Sequence, residues 1–319
     1  MNYSSTAANA FRFNPIHLNR TYGVTYTFET AGVLQTISYE ITVCCIRKQP
    51  GPQFLFEINK GQVYINDQAP EKMIDKLAES CGRVLYPLQI TVNDAGQFIA
   101  VANQEQIAAA WEAAKPKITQ YYTGNVTDDI VEYMDLAVSS PAHIYQSLCR
   151  DWFMSLYFSN VYQGSDIIER PITAALPVMP YTAPVSFAVT QKPVQHHTDS
   201  GCLILQQKGY CNDPRSVEDL LQEKDLPLSQ HMEGVHTPLK GNMDMVYKLY
   251  HHDYSINAII GHCHMESGPG LEKKISFSVY HLREKDKAPA PTMQVVMPDT
   301  PSETNEKKKS FFSSLFKRG

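Results

Sequence analysis

The sequence predicts an α+β protein built from curved antiparallel β-sheet with a helical insertion at about residues 103–160. Three observations predict it. Runs rich in β-branched and aromatic residues alternate with Asn/Asp/Gly turns up to residue 101. Helical spacing replaces that pattern from Asn103 to Phe158, and a strand-rich meander returns over residues 242–282.

Thr21–Phe28 and Leu34–Ile46 read as a hairpin around Glu29-Thr30-Ala31-Gly32, the glycine supplying a positive φ. That loop places Tyr22 opposite Tyr39 and Val24 opposite Ile37. Phe54–Ile58 and Val63–Ile65 read as a second hairpin around Asn59-Lys60-Gly61, followed by a short helix over Pro70–Glu79. The stretch LYPLQITVNDAGQFIAV forms a third, with Ile90 on Ile99 and Leu88 on Val101.

Asn103 is the expected N-cap of the helical stretch NQEQIAAAWEAAKPKITQYY, and Pro116 kinks or breaks it. Further helices are expected at Thr127–Val138 and Pro141–Phe158, the latter ending in the apolar run CRDWFMSLYF. After Gly164 the chain reads as β again, with a strand at Cys202–Lys208 and a capped helix from Ser216. In the closing meander, a turn at Asp253-Tyr254 sets Leu249, Tyr247 and Met245 beside Ala258, Ile260 and His262. The turn Ser267–Gly270 then aligns Ile275, Phe277 and Val279 on the same face. Hairpins, a short helix and further strands on both sides of the helical middle point to a weak internal duplication. The pattern fits one clam or two.

Of the 319 residues 43% are apolar, enough for a substantial core. The net charge of −5 is segregated: residues 307–319 hold five basic side chains and no acidic one, which leaves 23 basic against 33 acidic in residues 1–306. A mildly acidic body excludes nucleic acid as the main partner. The first twenty residues lack the basic-then-apolar pattern of a secretory signal, and the longest apolar run, Ile41–Ile46, is too short to cross a bilayer. A cytoplasmic location is expected. Seven cysteines without a C-x-x-C pair fit reduced thiols, with Cys44 and Cys45 on opposite faces of one strand.

No nucleophile elbow, phosphate loop or dinucleotide fingerprint occurs, so no cofactor and no catalytic residue is assigned. The one metal candidate is GHCHMESG, where strand alternation places His262, His264 and Glu266 on one face. Beside a core face and Lys273, strand-end histidines reaching to solvent explain the same pattern. His196-His197-Thr198-Asp199 and His251-His252-Asp253 read as polar loops. Asp128, Asp129, Glu132 and Asp135 read as a solvated helix face, and the helices around Trp111 and Trp152 as core rather than an aromatic ligand cleft.

The organisation expected is an N-terminal arm (1–19), a folded body (20–284), a proline-rich linker (285–306) and a basic-aromatic docking peptide (307–319). On a helix, Phe311, Phe312, Leu315 and Phe316 share one arc, with Lys307, Lys308, Lys309, Lys317 and Arg318 around them. Burying the four apolar side chains yields about 6 to 10 kcal/mol, against about 1 to 2 kcal/mol per residue for ordering the segment. A single tail therefore holds a bilayer only weakly, and firm attachment needs a protein groove or several copies in an oligomer.

The run from LYPLQITVNDAGQFIAVAN through WEAAKPKI to DWFMSLYF resembles a family of uncharacterised cytosolic proteins from Bacteroidota, and the hairpins with the closing meander loosely resemble LolA-like β-clams. The second resemblance implies a half-barrel that binds acyl chains or apolar peptides. LolA-like proteins act outside the cytoplasm, and this chain departs in having no export signal at its start.

The leading expectation is a non-enzymatic cytosolic adaptor or assembly factor, of a secretion or cell-envelope machine. Its body holds a protein partner, and its tail docks on a protein or, weakly, on the inner membrane surface. The alternatives are a carrier of an apolar ligand or acyl chain, and a metal-dependent hydrolase using His262, His264 and Glu266.

Overall fold

A computed structural model describes residues 11–163, 166–194, 201–229, 236–266 and 272–283. In chain order its elements are β1 (Asn19–Thr30), β2 (Val33–Gln49), β3 (Gln53–Ile65), α1 (Met73–Arg83), β4 (Leu88–Asn93) and β5 (Phe98–Val101). Then come α2 (Gln104–Tyr121), α3 (Asn125–Val138), α4 (Pro141–Cys149), α5 (Trp152–Tyr157) and a 3-10 turn at Asn160–Tyr162. The second half holds β6 (Arg170–Leu176), β7 (Val185–Pro193), β8 (Cys202–Cys211), α6 (Val217–Leu221), β9 (Gly241–Tyr250), β10 (Ile256–Glu266) and β11 (Glu272–His281). This is the α+β class expected.

The strands form one antiparallel sheet in the order β5-β4-β3-β2-β1-β11-β10-β9-β8-β7-β6. Two meanders, each with a short helix after its third strand, meet where β1 pairs with β11, Val24 opposite Val279 and Tyr26 opposite Phe277. One inner row runs Tyr39, Val24, Val279, Ile259, Tyr247, Leu205, all buried, across six strands from both halves. Period-2 alternation sends the intervening residues outward, where Thr25, Thr27, Ser276 and Ser278 are found.

Several local expectations need correction. The β1–β2 loop is only Ala31-Gly32, at φ of 50° and 76°, the two-residue hairpin geometry that suits strand twist. Shortening the loop moves the register by two, so Tyr22 faces Ile41 and Val24 faces Tyr39. The same shift sets Ile90 opposite Val101 in the β4–β5 hairpin. No turn forms at Asn59-Lys60-Gly61, because β3 runs through it and pairs with β2 across irregularities at Tyr39/Ile41 and Cys45/Arg47. The helix expected at Pro141–Phe158 is two, since Asp151 caps a new start by accepting from the Met154 amide at 2.9 Å. Pro116 lies within α2, and Asn103 spends its side chain on the Gln89 amide and the Pro87 carbonyl instead of capping. β6 and β7 had no specific strand expectation.

In the closing meander a register shift between Ile256 and Ala258 reverses the expected face. Ile259 and Cys263 face the core and are buried, whereas Ile260 and His262 point outward and are exposed. The N-terminal segment also contributes to the core: Phe13 stacks on Tyr162 with ring centroids 4.7 Å apart, and Phe11 is buried against Tyr162 and Tyr254. Gly96, at φ 78°, turns β4 into β5 directly against the Tyr162 ring, where a Cβ would come within 2.5 Å.

The capping box expected at Ser216 is present and extended. Buried Asp219 accepts from the Ser216 and Ser229 amides at 2.9 Å each and from the Ser229 hydroxyl at 2.8 Å. Burial alone would raise this carboxyl, but those bonds outweigh it and draw it down to about 2. A depressed carboxyl stabilises above its unfolded pKa of about 4 and loses that contribution as pH falls through about 2. Asp219→Asn should therefore cost about 1 to 3 kcal/mol in urea unfolding at pH 7, and the deficit should shrink between about pH 4 and pH 2. A deficit constant over that range would show that ionised Asp219 is not the source.

Candidate functional site

The sheet rolls until its two edges meet around α5. Asn160 records this: its side-chain amide donates to the Thr173 carbonyl of β6 at 3.3 Å, and its carbonyl oxygen accepts from Gln97 beside β5. β5 and β6 do not pair with each other. Between them lies a cleft of about 360 Å³, within the range of small-molecule sites.

Met154 and Ser155 of α5, with Phe158 just after it, form the floor of the cleft. On α5, Trp152, Phe153, Met154, Leu156 and Tyr157 are all buried within the roll, and half-buried Ser155 lies at the cleft. Trp152 packs beside Tyr26, Phe28 and Phe277, and Phe158 meets Phe56 edge-on at 5.8 Å. Three phenol contacts tie the segment to the wall. Tyr22 and Tyr157 exchange a 3.1 Å hydroxyl contact, Tyr247 donates to the Leu156 carbonyl at 3.0 Å, and Tyr162 donates to the Tyr254 carbonyl at 2.8 Å. Burial pushes Tyr22 up to about 12 and raises Tyr157 and Tyr162 well above the ordinary phenol value, so these remain neutral hydrogen-bond donors at physiological pH.

The cleft wall is apolar at Phe98, Leu148, Ile172 and Met245, with amides and hydroxyls at Gln97, Asn160, Ser159 and Gln207. Gln207, buried, donates to Gln191 at 2.7 Å, and Gln191 donates to the Val161 carbonyl at 3.1 Å, which fixes the 3-10 turn. No Asp, Glu, Lys, Arg or His is among the described residues that line it. Its titratable groups are Tyr145, Cys149 and Tyr247. Burial raises all three, so the thiol is protonated at neutral pH and is a poor nucleophile. The arrangement can hold an uncharged molecule by apolar contact and a few neutral hydrogen bonds.

The residues singled out from sequence lie elsewhere. His262 is on the outer face opposite Ser276 and Asp244. His264 sits opposite Lys274, not Lys273, its Nδ1 3.1 Å from Glu266 and its Nε2 4.0 Å from Glu272. Carboxylates on opposite ring nitrogens do not converge on one centre, and no group of three metal-ligating side chains gathers among the described residues. His252 and Asp253 join Arg20, which reaches Asp253 at 3.0 Å and stacks on Tyr250 at 4.3 Å. Asp135 is more than part of a solvated face: it accepts from Trp111 Nε1 at 2.7 Å and pairs with Lys115 at 2.7 Å. Trp111 and Trp152 are both core. His196 to Asp199, the Ser267–Gly270 turn, the linker 285–306 and the docking peptide 307–319, with Lys307, Lys308, Lys309, Phe311, Phe312, Leu315, Phe316, Lys317 and Arg318, fall outside the described residues.

Asn160→Ala removes both contacts that hold the edges together. It should lower stability by about 1 to 3 kcal/mol and speed amide exchange in β5 and β6 before other strands. Unchanged exchange at Phe98–Val101 would show that Asn160 does not fasten that edge.

No family model matches the chain, and no curated protein matches it. Among solved structures, lipovitellin, in a study of its lipid–protein interactions, is similar at a TM-score of 0.42 and 8% identity, over 87% of this chain and 26% of that one. The chain thus spans about a quarter of that protein's length. No helix among the described residues is long and apolar enough to cross a membrane.

Proposed function

We propose that this is a non-enzymatic binding protein whose rolled sheet carries an uncharged, largely apolar small ligand between β5 and β6. The observation that supports the reading is the cleft itself: about 360 Å³, with buried Phe158 and Tyr247 in its lining and no Asp, Glu, Lys, Arg or His among the described residues around it. Such a lining gains from burying hydrocarbon and would leave a charged ligand desolvated and unpaired. Gln97, Asn160, Ser159 and Gln207 give a ligand hydroxyl or carbonyl neutral partners, which fixes its orientation. Hydrolysis at His262, His264 and Glu266 is not proposed, because those side chains do not converge. The adaptor reading rests on the charge segregation between residues 1–306 and 307–319.

A neutral fluorescent dye such as Nile red should bind the purified protein and be displaced by medium-chain alcohols. Ala174, half-buried in the cleft wall, gives the control. Ala174→Trp fills the space and should weaken dye binding about tenfold or more, equivalent to about 1.4 kcal/mol. Equal affinity in the folded variant would place the dye elsewhere and overturn the assignment.

A further inference from the structure

Lys60 is a cation that the fold turns inward. Tyr39 of β2 is opposite Val63 of β3 and Ile41 is opposite Lys60, so Glu40 alone faces both Gly61 and Gln62. The extra residue is a β-bulge, and it breaks the alternation of β3. In an unbroken strand Lys60 and Val63, three positions apart, would point to opposite faces. Across the bulge both lie beside buried, inward-facing residues of β2. Lys60 therefore continues the inner row of Phe54, Phe56 and Ile58, all buried, and its ammonium lies over the Tyr39 ring, 4.1 Å from the centroid. It is itself half-buried, poorly hydrated without being sealed.

A lysine drawn into a core ordinarily has a carboxylate against it. Among the described residues none forms an ion pair with Lys60. The cluster around it holds Tyr39 from β2, Tyr26 from β1, Tyr86 from the segment before β4 and Asp151 from the start of α5. Tyr39 donates to the Tyr26 hydroxyl at 3.5 Å, and burial raises all three phenols, so they are neutral at physiological pH. Asp151 keeps its bond from the Met154 amide and acts on Lys60 from beyond ion-pair distance. Burial lowers the Lys60 ammonium, and the Asp151 charge offsets only part of that. Neither Lys60 nor Asp151 is among the described residues that line the β5–β6 cleft, so this is a separate place in the fold.

We propose that Lys60 captures a small uncharged aldehyde as an imine. The Nζ lone pair adds to the carbonyl carbon and opens the C=O bond. The oxygen takes up both amine protons and leaves as water, and C=N forms in its place. Asp151 and the neutral phenols of the cluster are the groups near enough to pass those protons. Tyr26, Phe28 and Trp152, with ring centroids 6.2 to 6.3 Å apart, offer apolar surface to the rest of the aldehyde. The step consumes no oxidant, reductant or second substrate.

Propanal with cyanoborohydride, which reduces the imine to a stable propyl-lysine, tests this on the full chain by peptide mass spectrometry. Lys76, exposed on α1, is the reference. At pH 7 Lys60 should be labelled about tenfold faster than Lys76, because more of it is free amine. The ratio should narrow as pH rises toward about 10.4, where an exposed lysine is itself half free. Asp151→Asn removes the charge that holds the ammonium while an asparagine still caps α5, so the Lys60 rate should rise further. In denaturing urea the two lysines should react alike. Labelling of Lys60 no faster than of Lys76 in the folded protein at pH 7 would overturn the proposal. A preference that persists in urea would trace it to local sequence and overturn the site equally.

Discussion

An antiparallel sheet of eleven strands, rolled until its edges approach, encloses more space than its own side chains can fill, since about eight strands is the size at which side chains suffice. The structure depends on what fills the remainder. Trp152–Tyr162 enters the roll as a short helix and a 3-10 turn, and its aromatic residues meet inner-face residues of β1, β3, β9 and β11. An interior segment brings polar backbone ends with it, and those need partners where water is absent. Asp151 caps the helix start, Tyr247 takes the Leu156 carbonyl, and Gln191 takes the Val161 carbonyl. The buried tyrosines and glutamines of the strands are thus explained by the insertion they hold.

Strand identity was legible because alternation is local, and register was not, because register depends on loop length. Taking Glu29–Gly32 as the loop keeps every residue of β1 and β2 on its correct face while displacing each partner by two. A single irregularity has a larger effect. At Ile256/Ala258 one residue of slippage turned Ile260 and His262 outward and Ile259 and Cys263 inward. Sequence alternation carries no mark of such a step, since the residues on either side are all strand formers. Gly61 misled for a related reason: beside Asn59 and Lys60 it reads as a turn, but strand pairing continues through it.

The candidate site was not legible at all. Its walls come from Gln97 and Phe98, from Tyr145 through Asn160, from β6, and from Gln207, Met245 and Tyr247. These lie up to about 150 positions apart and become neighbours only when the sheet rolls. Nor do glutamine, asparagine and serine at such intervals form a motif, because neutral hydrogen bonding needs no fixed spacing in sequence. The histidines of β10 show the converse. Their spacing matched a chelating pattern, yet ligation depends on where lone pairs converge, and the two ring nitrogens of His264 face different carboxylates.

The gap between β5 and β6 is specified by the chain rather than left over. β5 has only four residues and meets β4 through an irregularity at Thr91/Val92, while Pro171 brings no N–H to β6, a residue tolerated in sheets chiefly at edges. Both features oppose a continuous ladder, and the sheet stops short of closure with side chains, not backbone, bridging the opening. The distinction matters energetically. A side-chain hydrogen bond contributes about 0.5 to 1.5 kcal/mol net, so parting the two Asn160 contacts costs about 1 to 3 kcal/mol. That is small beside a typical domain stability of about 5 to 15 kcal/mol. Unzipping a paired strand would instead expose a row of backbone groups together. The two Asn160 contacts can therefore part while the strand pairing on either side stays intact.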